Sequence, residues 1–108
     1  MNIILSDNFK RKAKALAKKY HSFKTDLVEL SVSLQENPQQ GDALGKDCFK
    51  VRMAIASKNK GKSGGARVIT CVKIEAENIY FLSIYDKSDQ STIEDDEIDV
   101  ILKDLGLL

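Results

Sequence analysis

Apolar residues recur along this chain in two rhythms, one near 3.6 and one near 2, and the change of rhythm separates a helical front from a stranded middle. Asn2–Leu5 is a short apolar run and reads as a strand. Ser6-Asp7 follows as a helix cap, after which Phe9, Ala13, Leu16, Ala17 and Tyr20 fall on one helical stripe. A second helix is predicted from about Ser22, with Phe23, Leu27, Leu30 and Leu34 at helical spacing and Asn37-Pro38 as its stop. These two helices form a hairpin. Gln39–Asp47, with Gly41 and Gly45, reads as a polar loop.

From Cys48 the period drops to two. Phe49, Val51, Met53 and Ile55 alternate with Lys50, Arg52, Ala54 and Ala56, the pattern of a half-buried strand over Cys48–Ala56. Arg67–Ile74 is β-branched and apolar, and Asn78–Tyr85 repeats the pattern after a turn at Glu75–Glu77, so the three strands form an antiparallel meander. Ser91 with Glu94 three residues on has the form of a capping box, and Ile98, Ile101, Leu102 and Leu105 make a final helical stripe. The order β-α-α-β-β-β-α specifies an α+β fold, a helical hairpin packed on a small antiparallel sheet.

With 108 residues the chain is of single-domain size, so 1–108 is read as one domain. Apolar residues make up 43% and charged residues 31%, and no apolar run approaches a membrane span, which places the expected site of action in the cytoplasm. Cys48 and Cys71 lie in apolar strand patterns, where unpaired cysteine acts as a small hydrophobe; neither a disulfide nor a metal role is expected. The net charge of +1 conceals an asymmetry. Residues 1–67 carry 14 Lys/Arg against 6 Asp/Glu, and residues 68–108 carry 3 against 10. One face directed at phosphate fits this better than a uniformly basic coat.

The basic charge is densest in Ser57–Arg67, SKNKGKSGGAR, which sets Lys58, Lys60, Lys62 and Arg67 on a loop between two strands, with Gly61, Gly64 and Gly65 allowing close backbone approach. Crowding like charges costs Coulombic energy that a core does not recover, so the loop reads as a polyanion site. Ala56–Ser63 is a near miss to a P-loop, but Ala56 stands where the first glycine belongs and the loop runs into a strand instead of opening a helix. Strand alternation puts Arg52 opposite the core side of its strand, and Phe81, Ser83, Tyr85 and Lys87 are expected to share one face of theirs. If register brings the faces together, Arg52, Arg67, Tyr85 and Lys87 converge beside the lysine loop.

Such a group suits RNA cleavage without a metal, in which the ribose 2′-hydroxyl attacks the adjacent phosphate and paired arginine donors meet the growing charge. The only histidine, His21, sits at a helix junction and reads as structural. Lysine can act as base where neighbouring cations lower its pKa toward ~7–8. Asp95, Asp96, Glu97 and Asp99 are explained by an acidic helix start, and no cofactor or metal is expected.

KVRMAIASKNKGKSGGARVIT followed by IYFLSIYDKSDQS, with FKRKAKAL and ENPQQGDALG before them, resembles the RelE/HigB-type toxins of the RelE/ParE superfamily over nearly the whole chain. The resemblance implies a RelE-like fold and a toxin of a type II toxin–antitoxin module. It also implies an mRNA endoribonuclease that cuts at the ribosomal A site, inhibits translation, and is silenced by a cognate antitoxin expected to be acidic. Its partners would be that antitoxin, the ribosome and mRNA. Carried over by position, the resemblance makes Arg52, Lys58, Lys60, Lys62 and Arg67 the RNA-binding group and Lys60, Lys62, Arg67, Tyr85 and Lys87 the catalytic one. Lys60 or Lys62 would be the base, Arg67 the phosphate stabiliser, and Tyr85 a residue that stacks on or orients a base. Lys87 or Arg52 would aid the leaving group. Two alternatives stay open: a ParE-like inhibitor of DNA gyrase, and a non-catalytic nucleic-acid-binding module.

Overall fold

Ser6 both ends the first strand and fixes the first helix to the sheet. In the computed structural model, which describes residues 1–108, β1 (Asn2–Leu5) hands over to α1 (Asp7–Lys19) at this residue. Its hydroxyl accepts from the Phe9 N–H at 2.9 Å and donates to the Leu82 carbonyl at 2.6 Å. The cap satisfies an orphan donor of the helix and ties its start to a strand 76 residues away. α2 (Phe23–Glu36) follows a short turn and stops before Pro38, as the sequence indicates.

β2 (Asp42–Gly45), β3 (Cys48–Met53), β4 (Ala66–Lys73) and β5 (Asn78–Asp86) complete a five-stranded sheet in the order β1-β5-β4-β3-β2. The expected meander β3-β4-β5 is antiparallel throughout, and β1 joins it parallel to β5, which makes the sheet mixed. The helical hairpin covers one face, where Phe9, Leu16, Phe23, Leu30 and Leu34 pack on Val51, Met53, Val68, Phe81 and Ile84. Phe9 and Phe81 meet edge to face with centroids 5.2 Å apart. On the other face α4 (Asp95–Asp104) sets Ile98, Ile101 and Leu102 against Cys48, Ile69, Cys71, Leu82 and Tyr85. No helix is long and apolar enough to cross a membrane.

Four expectations need correction. Within the predicted loop Gln39–Asp47, Asp42–Gly45 forms β2. All four of its residues are exposed, so it carries no alternation to reveal it, and it is held only as an edge strand against β3. Lys46 and Asp47 make the connecting turn with φ of 55° and 63°, the left-handed pair that a two-residue hairpin needs. β3 ends at Met53 instead of Ala56, because Ala56–Lys58 winds into a 3-10 turn. The proposed capping box at Ser91 is absent: α4 starts after Glu94, which makes no side-chain cap, and its acidic first turn suits the helix dipole alone. Finally, Phe81 and Tyr85 do not share a face. A register shift between Ile69 and Thr70 inserts an extra residue in β5, so Phe81 packs under Phe9 while Tyr85 turns toward α4.

Phe9 is fully buried against Phe81. Phe9→Ala should cost about 3–5 kcal/mol and lower the urea midpoint of unfolding, whereas the neighbouring exposed change Lys10→Ala should stay within about 0.5 kcal/mol.

Candidate functional site

The segment between β3 and β4 would be a mobile basic loop if its sequence alone decided, yet it is fastened at both ends. At its start the Ala56 N–H donates to Asp26 Oδ2 at 3.1 Å and the Ser57 N–H to Ser22 Oγ at 3.0 Å. Ser22 in turn donates to the same Asp26 oxygen at 2.7 Å, so the first turn of α2 holds the loop through two side chains and two backbone donors. Asn59 and Gly61 then take left-handed conformations, with φ of 57° and 63°, and α3 (Gly61–Gly64) makes a single helical turn. Gly65 passes so near β3 that an added Cβ would lie 2.1 Å from the Met53 carbonyl oxygen, so only glycine fits there.

A second fastening lies under the loop. Lys58 Nζ donates to Asp86 Oδ1 at 2.7 Å and to Ser88 Oγ at 2.8 Å. The Tyr20 hydroxyl donates to Asp86 Oδ2 at 2.5 Å, and the Ser88 N–H donates to Oδ1 at 2.9 Å. The Asp86 side chain is wholly buried and that of Lys58 is 6% exposed. Burial pushes the Asp86 carboxyl upward, but the hydrogen bonds from Lys58, Tyr20 and Ser88 outweigh it and hold the group well below the usual carboxylate range. Lys58, expected among the RNA-contacting lysines, is thus engaged on the hairpin side, where it anchors the loop.

Arg67 closes the other end. Its Nη1 donates to the Lys62 carbonyl at 3.0 Å and the Ala66 carbonyl at 3.1 Å, and Nη2 donates to the Ser63 carbonyl at 3.0 Å. With the residue only 6% exposed, its guanidinium gathers the carbonyls that end α3 and brings positive charge beneath Lys60 and Lys62. The Lys60 side chain lies along Gly64, where an added Cβ would meet Lys60 Cβ at 2.5 Å.

Register aligns Arg52, Arg67 and Tyr85 as direct partners across β3, β4 and β5, on the face opposite the helical hairpin. Their accessibility differs. Arg52, Lys60 and Lys62 are exposed, and Lys87 is half-buried. Tyr85 is 4% exposed beneath the segment leading to α4, its hydroxyl donating to the Ser91 carbonyl at 3.4 Å, and Lys87 Nζ reaches the same oxygen at 3.4 Å. Burial pushes the Tyr85 phenol up, against the opposing charge of Arg67. His21 is exposed in the hairpin turn, away from this row. No group of three or more His, Cys, Asp or Glu side chains converges as a metal site.

Sequence reasoning missed the anchors Tyr20, Ser22, Asp26, Asp86 and Ser88. One signal was present: Asp86 is a lone carboxylate ending an apolar strand, and a buried acid demands a cation. Half-buried Lys50, two residues before Arg52 on the same strand, was also passed over.

Two comparisons bear on this arrangement. The family model described as the RelE toxin of the RelE/RelB toxin–antitoxin system matches residues 1–106. Among solved structures, an arginine double mutant of E. coli toxin RelE in the free state is similar over 96% of each chain, at 17% identity and a TM-score of 0.61. That likeness extends to the fold.

Asp86→Asn should destabilise the protein by about 3–5 kcal/mol, since it leaves Lys58 buried without its counter-charge. Because the folded-state carboxyl sits below its unfolded value of about 3.9, its contribution is present above that pH and is lost as pH falls. Urea midpoints measured from pH 6 down to 2 should fall more steeply for the wild type than for Asp86→Asn.

Proposed function

The chain belongs to the RelE toxin family of RelE/RelB toxin–antitoxin systems, and from that membership we propose that it is an mRNA endoribonuclease that acts at the ribosome without a metal. The observation that carries the proposal is the fastened loop. Asp86 and Asp26 hold its start and Arg67 its end, while Lys60 and Lys62 stay exposed beside the face that carries Arg52. A site for a reacting phosphate needs donors that do not reorganise as charge develops, and a loop held this way supplies them.

In this reading Arg52, Lys60 and Lys62 contact the RNA backbone, joined by Lys87 once its weak bond to the Ser91 carbonyl is given up. Lys60 or Lys62 takes the 2′-hydroxyl proton as that oxygen attacks the phosphorus. The bond to the 5′-oxygen breaks, leaving a cyclic phosphate and a 5′-hydroxyl, and a second cationic side chain protonates the departing oxygen. Arg67 shapes the loop and adds positive potential. Tyr85 reaches a base only if the Lys87–Ser91 segment lifts from it.

Induced expression in bacteria, with mapping of new mRNA 5′ ends, tests this directly. The wild type should arrest growth and produce translation-dependent cuts in phase with codons, and Arg52→Ala combined with Lys60→Ala and Lys62→Ala should abolish both. Lys→Arg changes at 60 and 62 should bind ribosomes yet cleave at least ~100-fold more slowly, because arginine does not serve as a base. Arrest without new 5′ ends would overturn the proposal in favour of a gyrase inhibitor, and unimpaired cleavage by the triple variant would overturn the site.

Membership of the family implies a cognate antitoxin. We infer that it presents an acidic amphipathic segment to the groove between α1 and α2. Leu5, Phe9, Ala13, Ala17, Phe23 and Leu27 line this groove of about 480 Å³, and its other four lining residues are Lys10, Lys14, Lys18 and Lys24. None of these lysines has a carboxylate partner within the chain. Lys14→Glu with Lys18→Glu should weaken antitoxin binding at least tenfold and leave mRNA cleavage by the isolated chain intact, as read by titration calorimetry and the cleavage assay.

A further inference from the structure

Cys48 and Cys71 are direct partners across β3 and β4. The Val72 N–H donates to the Asp47 carbonyl at 2.9 Å, so residues 47 and 72 form a hydrogen-bonded pair and, by the alternation of an antiparallel ladder, Cys48 and Cys71 form a non-hydrogen-bonded one. In such pairs the Cα atoms stand about 4.5 Å apart with the side chains close together, within the range that a disulfide spans. Both cysteines are unpaired and buried, 2% and 0% exposed, on the face beneath α4. Each thiol finds only the Lys46 carbonyl as an acceptor, at 3.4 Å and 3.8 Å, beyond a strong bond. Nothing in the reading of the basic loop uses them.

Access comes from one side. A cavity of about 80 Å³ lies between the β2–β3 turn and the start of α4, with Cys48 in its wall and Lys46, Asp95 and Asp99 around it. Lys46 and Asp99 form an ion pair of 2.6 Å, both groups partly exposed, so the rim is polar and can open by rotation of two surface side chains. The volume suits a molecule a little larger than water.

We propose that Cys48 and Cys71 are a thiol–disulfide couple, oxidised by a small hydroperoxide that enters through this cavity. A thiolate sulfur attacks the peroxide, the O–O bond breaks, and the departing oxygen takes up a proton to leave as water or an alcohol. The sulfur is now a sulfenic acid. The sulfur of the second cysteine attacks it, its thiol proton joins the departing hydroxyl as water, and the S–S bond forms. Two thiols are oxidised by two electrons and one peroxide is reduced. Burial disfavours ionisation of both thiols, whereas the Lys73 ammonium favours it. The closed loop runs from residue 48 to residue 71 and contains the whole lysine loop, so oxidation restricts the unfolded chain in the segment that carries the site.

The test uses the reduced, folded wild-type chain with hydrogen peroxide, followed by unfolding, alkylation and intact-mass measurement. The expected product has lost about 2 Da, is protected from alkylation at both cysteines, and melts at a higher temperature until dithiothreitol restores the original value. Cys71→Ser should instead gain about 16 Da at Cys48 and form no internal disulfide. Complete alkylation of both cysteines after exposure that oxidises the unfolded chain would overturn the proposal. So would a disulfide that joins two chains.

Discussion

The Asp86 carboxylate is the point on which the arrangement of the molecule turns. Two segments distant in sequence reach it, the end of α1 through Tyr20 and the basic loop through Lys58, and the nearby Ser88 adds its N–H. Each partner is a donor, and together they satisfy a charge that could not otherwise be buried. Their geometry sets where the helical hairpin ends relative to the sheet, and that decides where the lysine loop begins. The ion pair's value lies less in net stability than in allowing one placement of the loop.

A division of labour between the two sides of the sheet follows from this. The hairpin side is closed, with aromatic packing of Phe9 on Phe81 and a buried network that uses one of the loop's three lysines. The opposite side is half covered by α4 and half open, and the open half carries Arg52 and the two remaining lysines. Arg67 joins loop and sheet, since its guanidinium binds two carbonyls of the loop and that of Ala66 in β4 while its strand partners are Arg52 and Tyr85.

Most of the fold was legible because its elements announce themselves locally. Ser6, Pro38, the alternation through Val51 and Met53, and the stripe Ile98, Ile101, Leu102 each map onto an observed boundary or face. What escaped were features without a local signature. β2 exists only because β3 offers it an edge, and the extra residue in β5 is a property of pairing that no single strand encodes. The site divides in the same way. The charge density of SKNKGKSGGAR pointed to the loop, but charge alone does not say which cations face solvent. Lys58 and Arg67 are drawn inward by Asp86 and by backbone carbonyls, and those partners lie 28 and 4–5 residues away.

The parallel pairing of β1 with β5 has a bearing on how the chain comes to life. Asn2 sits opposite Asn78 and Leu5 opposite Phe81, so β1 has no partner until the chain has grown by 76 residues beyond it. The bond from Ser6 to the Leu82 carbonyl and the Phe9–Phe81 contact depend on the same late strand, as does the carboxylate that receives Lys58. At roughly 5–20 residues per second, several seconds of synthesis pass before the core can close. A shortened product that ends before Asn78 lacks β5 and the Asp86 counter-charge together, so Lys58 has no buried acid to anchor it.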